Sequence, residues 1–133
     1  MITAVDTNIL IDVFSNDPTF GTASAKAIRD CIKEGALVIC EIVLAETATV
    51  FSDKKILDDA LSTLPISFSS MTEESSLYAA EIWRSYRNAG GLRKRMVADF
   101  LVAAHATCQA DRLLSRDRGF YRTHFQNLKL IEP

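Results

Sequence analysis

The chain opens Met1-Ile2-Thr3-Ala4-Val5-Asp6-Thr7-Asn8-Ile9-Leu10-Ile11-Asp12-Val13-Phe14. A short β-branched run, then Asp-Thr-Asn, then a second apolar run predicts a strand, a turn and the start of a helix. Asp6 then falls at the carboxyl end of the first strand, the edge where open α/β sheets bind their ligands.

Working outward, Asn16-Asp17-Pro18 is a turn, and Ala23 to Glu34 is an amphipathic helix closed by Gly35. Ala36 to Cys40 is a buried strand candidate, and Glu41 to Phe51 a helix leaving it directly. Ser52 or Asp53 caps the next helix, in which Ile56, Leu57, Ala60, Leu61 and Leu64 repeat at helical spacing and which Pro65 ends. Ile66 to Phe68 is a short strand. Thr72 caps a long helix with Glu73 and Glu74 in its first turn, where the helix dipole favours anions. Gly90-Gly91 ends that helix, and Leu92 to Arg95 is a basic loop. Met96 to Cys108, apolar almost all round, is a buried helix. Arg112 to Ser115 is a strand, Arg118 to Phe125 a short helix or turn, and Leu128 to Ile131 a last strand. Strands alternating with helices give βαβ units and a mostly parallel sheet of four or five strands.

Length and composition agree. The 133 residues, 48% of them apolar, suit one domain spanning residues 1–133. No basic leader and no membrane-length apolar run is present, so neither a signal peptide nor a span is expected. Cys31, Cys40 and Cys108, odd in number and without CxxC spacing, are expected as reduced core residues of a cytoplasmic protein. The net charge of −2 is unevenly laid out: Arg84 to Arg122 holds nine Lys/Arg against three acids. That segment fits either a solvated helix face or a phosphate-bearing ligand.

Four acids need an explanation. Asp99 sits in Met96-Val97-Ala98-Asp99-Phe100-Leu101-Val102-Ala103-Ala104, and Glu46 in Ile42-Val43-Leu44-Ala45-Glu46-Thr47-Ala48, both stretches fit for an interior. A buried, unpaired carboxylate costs several kcal/mol or neutralises itself. A nearby arginine such as Arg95 would satisfy Asp99, and a surface salt bridge Glu46. Asp117, like Asp6, emerges where a strand ends, and either one alone fits a helix cap. Together, two strand-end acids and two expected in the opening turns of apolar helices that follow strands share one edge of a parallel sheet. Such crowding is tolerable with divalent cations among the carboxylates, and an all-oxygen set suits Mg²⁺ or Mn²⁺.

Val5-Asp6-Thr7-Asn8-Ile9-Leu10, Leu44-Ala45-Glu46-Thr47, Ala98-Asp99-Phe100-Leu101-Val102-Ala103-Ala104-His105-Ala106 and Leu113-Leu114-Ser115-Arg116-Asp117-Arg118-Gly119-Phe120 resemble, in order, the four signature segments of PIN-domain nucleases. The chain most resembles the VapC-type ribonuclease toxins of bacterial toxin–antitoxin pairs. The resemblance implies a three-layer α/β/α sandwich and a Mg²⁺-dependent endoribonuclease that leaves a 5′-phosphate and a 3′-hydroxyl. It implies that Asp6, Asp99 and Asp117 hold the metal, with Glu46 completing a second position or orienting the attacking water. It further implies an antitoxin whose basic segment fills the acidic pocket, and a second copy of the chain as homodimer partner. One departure is Cys40-Glu41, where many members have a Ser or Thr. It bears on the hydrogen bonding of Glu46, or adds a fifth acid at the rim.

Around that cluster, Asn8 is expected to orient Asp6, or to serve as a turn residue. Ser115 is expected to bond Asp117 or a metal-held water, or to be an ordinary strand-end serine. Arg93, Lys94, Arg95, Arg116 and Arg118, with Arg84, Arg87 and Arg122, are candidates for guiding RNA to the pocket. Tyr121 and Phe120 could stack a base, though Phe120 also suits the core. His105 and His124 offer a metal-independent alternative through the 2′-hydroxyl, although His105 fits a structural role and Trp83 the core. A phosphatase reading fails on Asn8, where a second Asp is needed, and no phosphate-binding glycine loop is present. A non-catalytic PIN-like RNA- or protein-binding module remains as the alternative.

Overall fold

The computed structural model describes residues 1–91 and 97–133. Strands β1 (Ile2–Val5), β2 (Ala36–Ile39), β3 (Ile66–Phe68), β4 (Arg112–Leu114) and β5 (Leu130–Ile131) form one sheet in the order β3-β2-β1-β4-β5. Every pairing is parallel. Parallel neighbours need crossovers, and helices supply them: α1 (Thr7–Phe14) and α2 (Gly21–Glu34), α3 (Glu41–Ala48) and α4 (Lys54–Ser62), α5 (Glu73–Asn88) and α6 (Val97–Gln109), and α7 (Arg118–His124). With right-handed crossovers, the connections running from β1 towards β3 cover one face and those from β3 to β5 the other. The result is the three-layer α/β/α sandwich.

The chain direction across the sheet reverses between β1 and β4. Open α/β sheets form their ligand crevice at such a switch point, beyond the carboxyl ends of the two strands. Those strands carry the core: Ala4, Val5, Leu113 and Leu114 are buried, with Ile9, Leu10, Phe100, Ala103 and Phe125 packed around them.

Local chemistry sets most boundaries. Asp53 caps α4 by accepting the Ile56 N–H, and Thr72 caps α5 by accepting the Ser75 N–H. Gly35 has a φ of 154°, and a Cβ there would collide with the Met1 carbonyl, so glycine is required where α2 meets β2. The expected helix to Phe51 stops at Ala48, because Thr49, Val50 and Phe51 turn back three residues each, to Glu46, Thr47 and Ala48. The last strand is likewise shorter than expected.

Three sequence expectations are corrected here. Cys31 and Cys40 are buried thiols, but Cys108, one residue before the end of α6, is exposed. Glu41 does not stand at an acidic rim: its carboxylate accepts from Ser70 Oγ at 2.8 Å and the Met71 N–H at 2.9 Å, tying down the segment before α5. Burial alone would raise its pKa, but its own amide and these two donors outweigh that and hold it below the usual value. Tyr121 is 1% exposed, so no base can stack on it.

His105 is buried, with Nε2 3.0 Å from Ser69 Oγ. Burial pushes its pKa down, against the Glu41 charge and the Ser69 backbone. The unfolded chain therefore takes up a proton first as the pH falls. The stability His105 contributes is present above about pH 6.5 and is lost on acidification towards the lowered folded-state value. Wild-type protein should lose more Tm than His105→Gln between about pH 7 and about pH 5; parallel Tm profiles would contradict this.

Candidate active site

The β1–α1 junction builds the centre of the site. Asp6 is the N-cap of α1 and accepts the Thr7 N–H at Oδ1, 2.8 Å. Its Oδ2 accepts from Ser115 Oγ at 2.7 Å, from the Tyr121 hydroxyl at 3.1 Å and from Asn8 Nδ2 at 3.4 Å. These four donors are neutral, and Asp6 is 6% exposed. Desolvation therefore raises its pKa and outweighs the Ser115, Thr7 and Tyr121 hydrogen bonds, and the Asp99 charge pushes the same way.

Asp117 immediately precedes α7, and its backbone N–H donates to Ser115 Oγ at 3.0 Å. One serine thus joins the two strand-end acids, receiving from Asp117 and donating to Asp6. Asn8 adds long contacts, with Nδ2 3.4 Å from Ser115 Oγ and Oδ1 accepting the Arg116 N–H at 3.3 Å. Asp99, half-buried in the first turn of α6, acts electrostatically on both Asp6 and Tyr121, and Asp117 on Tyr121. Glu46 is exposed on α3, and its Oε1 accepts from Thr7 Oγ1 at 2.8 Å, which draws it to the residue after Asp6.

All four acids therefore belong to the crevice side of the switch point, and their donor set is all oxygen. Among the described residues no group of three or more His, Cys, Asp or Glu side chains is arranged so that it could hold a metal ion. Mg²⁺ usually takes only one or two carboxylates and keeps several waters, so an open arrangement of separated acids fits a hydrated hard cation rather than a closed cage. The buried Asp6 charge, held by neutral donors and facing a second carboxylate, is the local feature such a cation would relieve.

Two residues take part in roles that the sequence did not point to: Tyr121, expected to stack a base, and Asp12. Tyr121 reaches Asp6 from α7, although an aromatic in a short terminal helix carries no pattern that separates it from core. Asp12, 3% exposed, receives Arg116 Nε at 2.7 Å and Nη2 at 2.9 Å, with Ser24 Oγ at 2.8 Å. Its place three residues after Ile9, on the inward face of α1, was the available signal. Arg116, expected to guide RNA, is thus spent on this bidentate pair and lies 4.0 Å over the Phe20 ring. Arg118 pairs with Glu132 at 2.8 Å, and Arg87 lies 5.7 Å over the Trp83 ring. Arg84 and Arg122 are exposed, while Arg93, Lys94 and Arg95 lie outside the described residues. His124 is in an aromatic cluster with Tyr86, Phe100 and Phe120, apart from His105 and its Ser69 partner.

The PIN domain model matches residues 3–126, and the chain belongs to that family. PIN domains are in general nucleases and typically bind divalent metals. Among solved structures the chain is similar to VapBC2 from Rickettsia felis bound to a DNA fragment from its promoter, with a TM-score of 0.79 and 21% identity over 99% of this chain and 98% of that one. It is similar to VapBC-1 from nontypeable Haemophilus influenzae, at 0.75 and 21% over the same shares. A toxin–antitoxin complex from Klebsiella pneumoniae matches at 0.66 and 17%, over 97% of this chain and 95% of that one. At these identities the likeness is one of fold. No curated protein matches the chain. No helix among the described residues is long and apolar enough to cross a membrane.

Proposed function

We propose that this chain is the toxin of a VapC-type toxin–antitoxin pair, a Mg²⁺- or Mn²⁺-dependent endoribonuclease acting as one domain in the cytoplasm. The observation that carries it is Asp6, buried at the switch point under neutral donors, with Asp99 and Asp117 acting on the same Asp6–Tyr121 pair. Asp6, Asp99 and Asp117 would hold the ion directly or through waters, and Glu46 would take a second position or orient the attacking water. Held there, the ion would supply positive charge against the carboxylates and the scissile phosphate and would lower the pKa of water for in-line attack. The chain's own part is placement. Ser115 couples the Asp6 and Asp117 loops, Thr7 holds Glu46, and Asn8 braces the Arg116 amide.

RNA would approach along Arg93, Lys94 and Arg95, which directly precede in sequence the helix carrying Asp99. Exposed Arg118 exchanges Glu132 for a phosphate at little cost, since surface pairs are weak. Arg116 serves instead to hold its own loop. The VapBC neighbours support a cognate antitoxin, whose basic segment would neutralise the acidic pocket. Ile56 on α4 and Leu77 on α5 are exposed, and these two helix faces are open to the antitoxin or to a second copy in a homodimer.

The test is purified protein against a total RNA pool, with Mg²⁺ or chelator, followed by sequencing of new 5′ ends. Cleavage should require the metal and leave a 5′-phosphate and a 3′-hydroxyl. Cleavage in chelator with a 2′,3′-cyclic phosphate would move the chemistry to the histidines. Because the described residues assemble no three-ligand cage, the second reading is a PIN-like binding module, which would retain RNA or a protein partner without cutting RNA under any metal condition.

Ligand linkage gives a check without substrate. Mn²⁺ at about a hundred times its Kd should stabilise wild type by about 2.7 kcal/mol, and Asp6→Asn far less. Equal shifts in a thermal melt would place the ion elsewhere.

A further inference from the structure

Tyr121 has no part in the family resemblance, yet it stands among the acids. Its ring is 1% exposed and wedged against Phe120 and Phe125, with centroids 5.3 and 6.5 Å away. This aromatic seat on α7 aims the phenol back across the switch point at Asp6 Oδ2, 3.1 Å away. A carboxylate oxygen offers about two lone-pair sites. Among the described residues, Oδ2 receives Ser115, Tyr121 and the longer Asn8 contact, whereas Oδ1 receives the Thr7 N–H alone. Counting donors among the described residues, the two oxygens of Asp6 are therefore not equivalent: Oδ2 takes three and Oδ1 one.

We propose that Tyr121 is a positioning residue whose O–H, together with Ser115, locks the Asp6 carboxylate so that Oδ1 is the oxygen presented to a divalent cation. This role rests on the metal-dependent reading above. A hydroxyl suits the place because it donates without adding charge. A phenol with an ordinary pKa of about 10 is protonated at neutral pH and donates to the carboxylate. Outer partners of this kind orient metal ligands, and their loss typically weakens metal binding by about 10- to 100-fold.

The test is Tyr121→Phe, which keeps the ring and removes only the donor. Its Mn²⁺ affinity, measured by calorimetry, should fall by about ten-fold or more. Cleavage that is slow at limiting Mn²⁺ should recover at raised Mn²⁺ with the RNA KM unchanged, a rescue that a merely structural defect would not give. Unchanged Mn²⁺ affinity in folded Tyr121→Phe overturns the proposal and leaves the nuclease reading standing, as does a cleavage defect that saturating Mn²⁺ fails to rescue. Wild type that binds no Mn²⁺ overturns both. Should Tyr121→Phe not fold, Ser115→Ala removes the other Oδ2 donor of the proposed lock: its Mn²⁺ affinity should fall by about ten-fold or more, and unchanged affinity overturns the lock.

Discussion

Asp6→Asn should lower metal-dependent RNA cleavage by about a hundred- to a thousand-fold, since a ligand carboxylate contributes several kcal/mol through the ion it holds and each 1.36 kcal/mol is a factor of ten. The fold should survive. The asparagine carbonyl can still accept from Ser115, Tyr121 and Asn8, and only the Thr7 N–H contact to Oδ1 is lost. The sign of the stability change depends on metal. The folded-state pKa of Asp6 is raised, so the stability contributed by its protonated form is complete below about pH 3.8 and is lost as pH rises through the folded value. At neutral pH in chelator wild type therefore bears a buried charge that the variant lacks, and the variant should melt at the same temperature or higher. With Mn²⁺ the order reverses. A variant that cuts RNA as fast as wild type would remove Asp6 from the reaction.

Arg116→Ala should cost about 3 kcal/mol, the lower end of the range for breaking a buried pair, because the Arg116 side chain is 31% exposed while that of Asp12 is only 4%. For a chain of this size that is a fall in Tm of about 10 °C. The loss arises mainly on the side of the acid, which keeps, among the described residues, the Ser24 hydroxyl as its one side-chain donor. Arg116→Lys should recover little, since one ammonium cannot reproduce the bidentate contact. Lys26→Ala and Lys54→Ala, which break exposed helix pairs, should change stability far less than Arg116→Ala. Urea denaturation measures all four. A cost for Arg116→Ala no larger than for the surface lysines would show that the Asp12 contact does not brace the loop before Asp117.

The sheet was legible because its signals are local. Val5-Asp6-Thr7 reads as strand, cap and helix, and each strand is followed by a helix long enough to force parallel pairing. Asp6 and Asp117 were legible for the same reason, since strand ends can be located from the chain alone. The supports of the site were not. Whether Tyr121 faces core or cluster depends on how α7 rolls against Phe100 and Phe125, more than twenty residues away in one case and four in the other. Arg116 belonged to a basic segment whose average charge suggested RNA, but its individual partner is 104 residues earlier. Glu41 looked like a rim acid beside Glu46, yet five residues on a helix turn it towards Ser70 and away from Thr7. Spacing predicts which residues reach an edge of the sheet; pairings set by helix rotation require the folded coordinates.

A divalent ion on Asp6 is what every step above depends on. Crystals soaked in Mn²⁺ and measured at the manganese absorption edge locate it directly. The account predicts an anomalous peak at about 2.1 Å from Asp6 Oδ1, with Asp99 and Asp117 bound to it or one water away. A peak elsewhere, or none, in protein that still cuts RNA would contradict it.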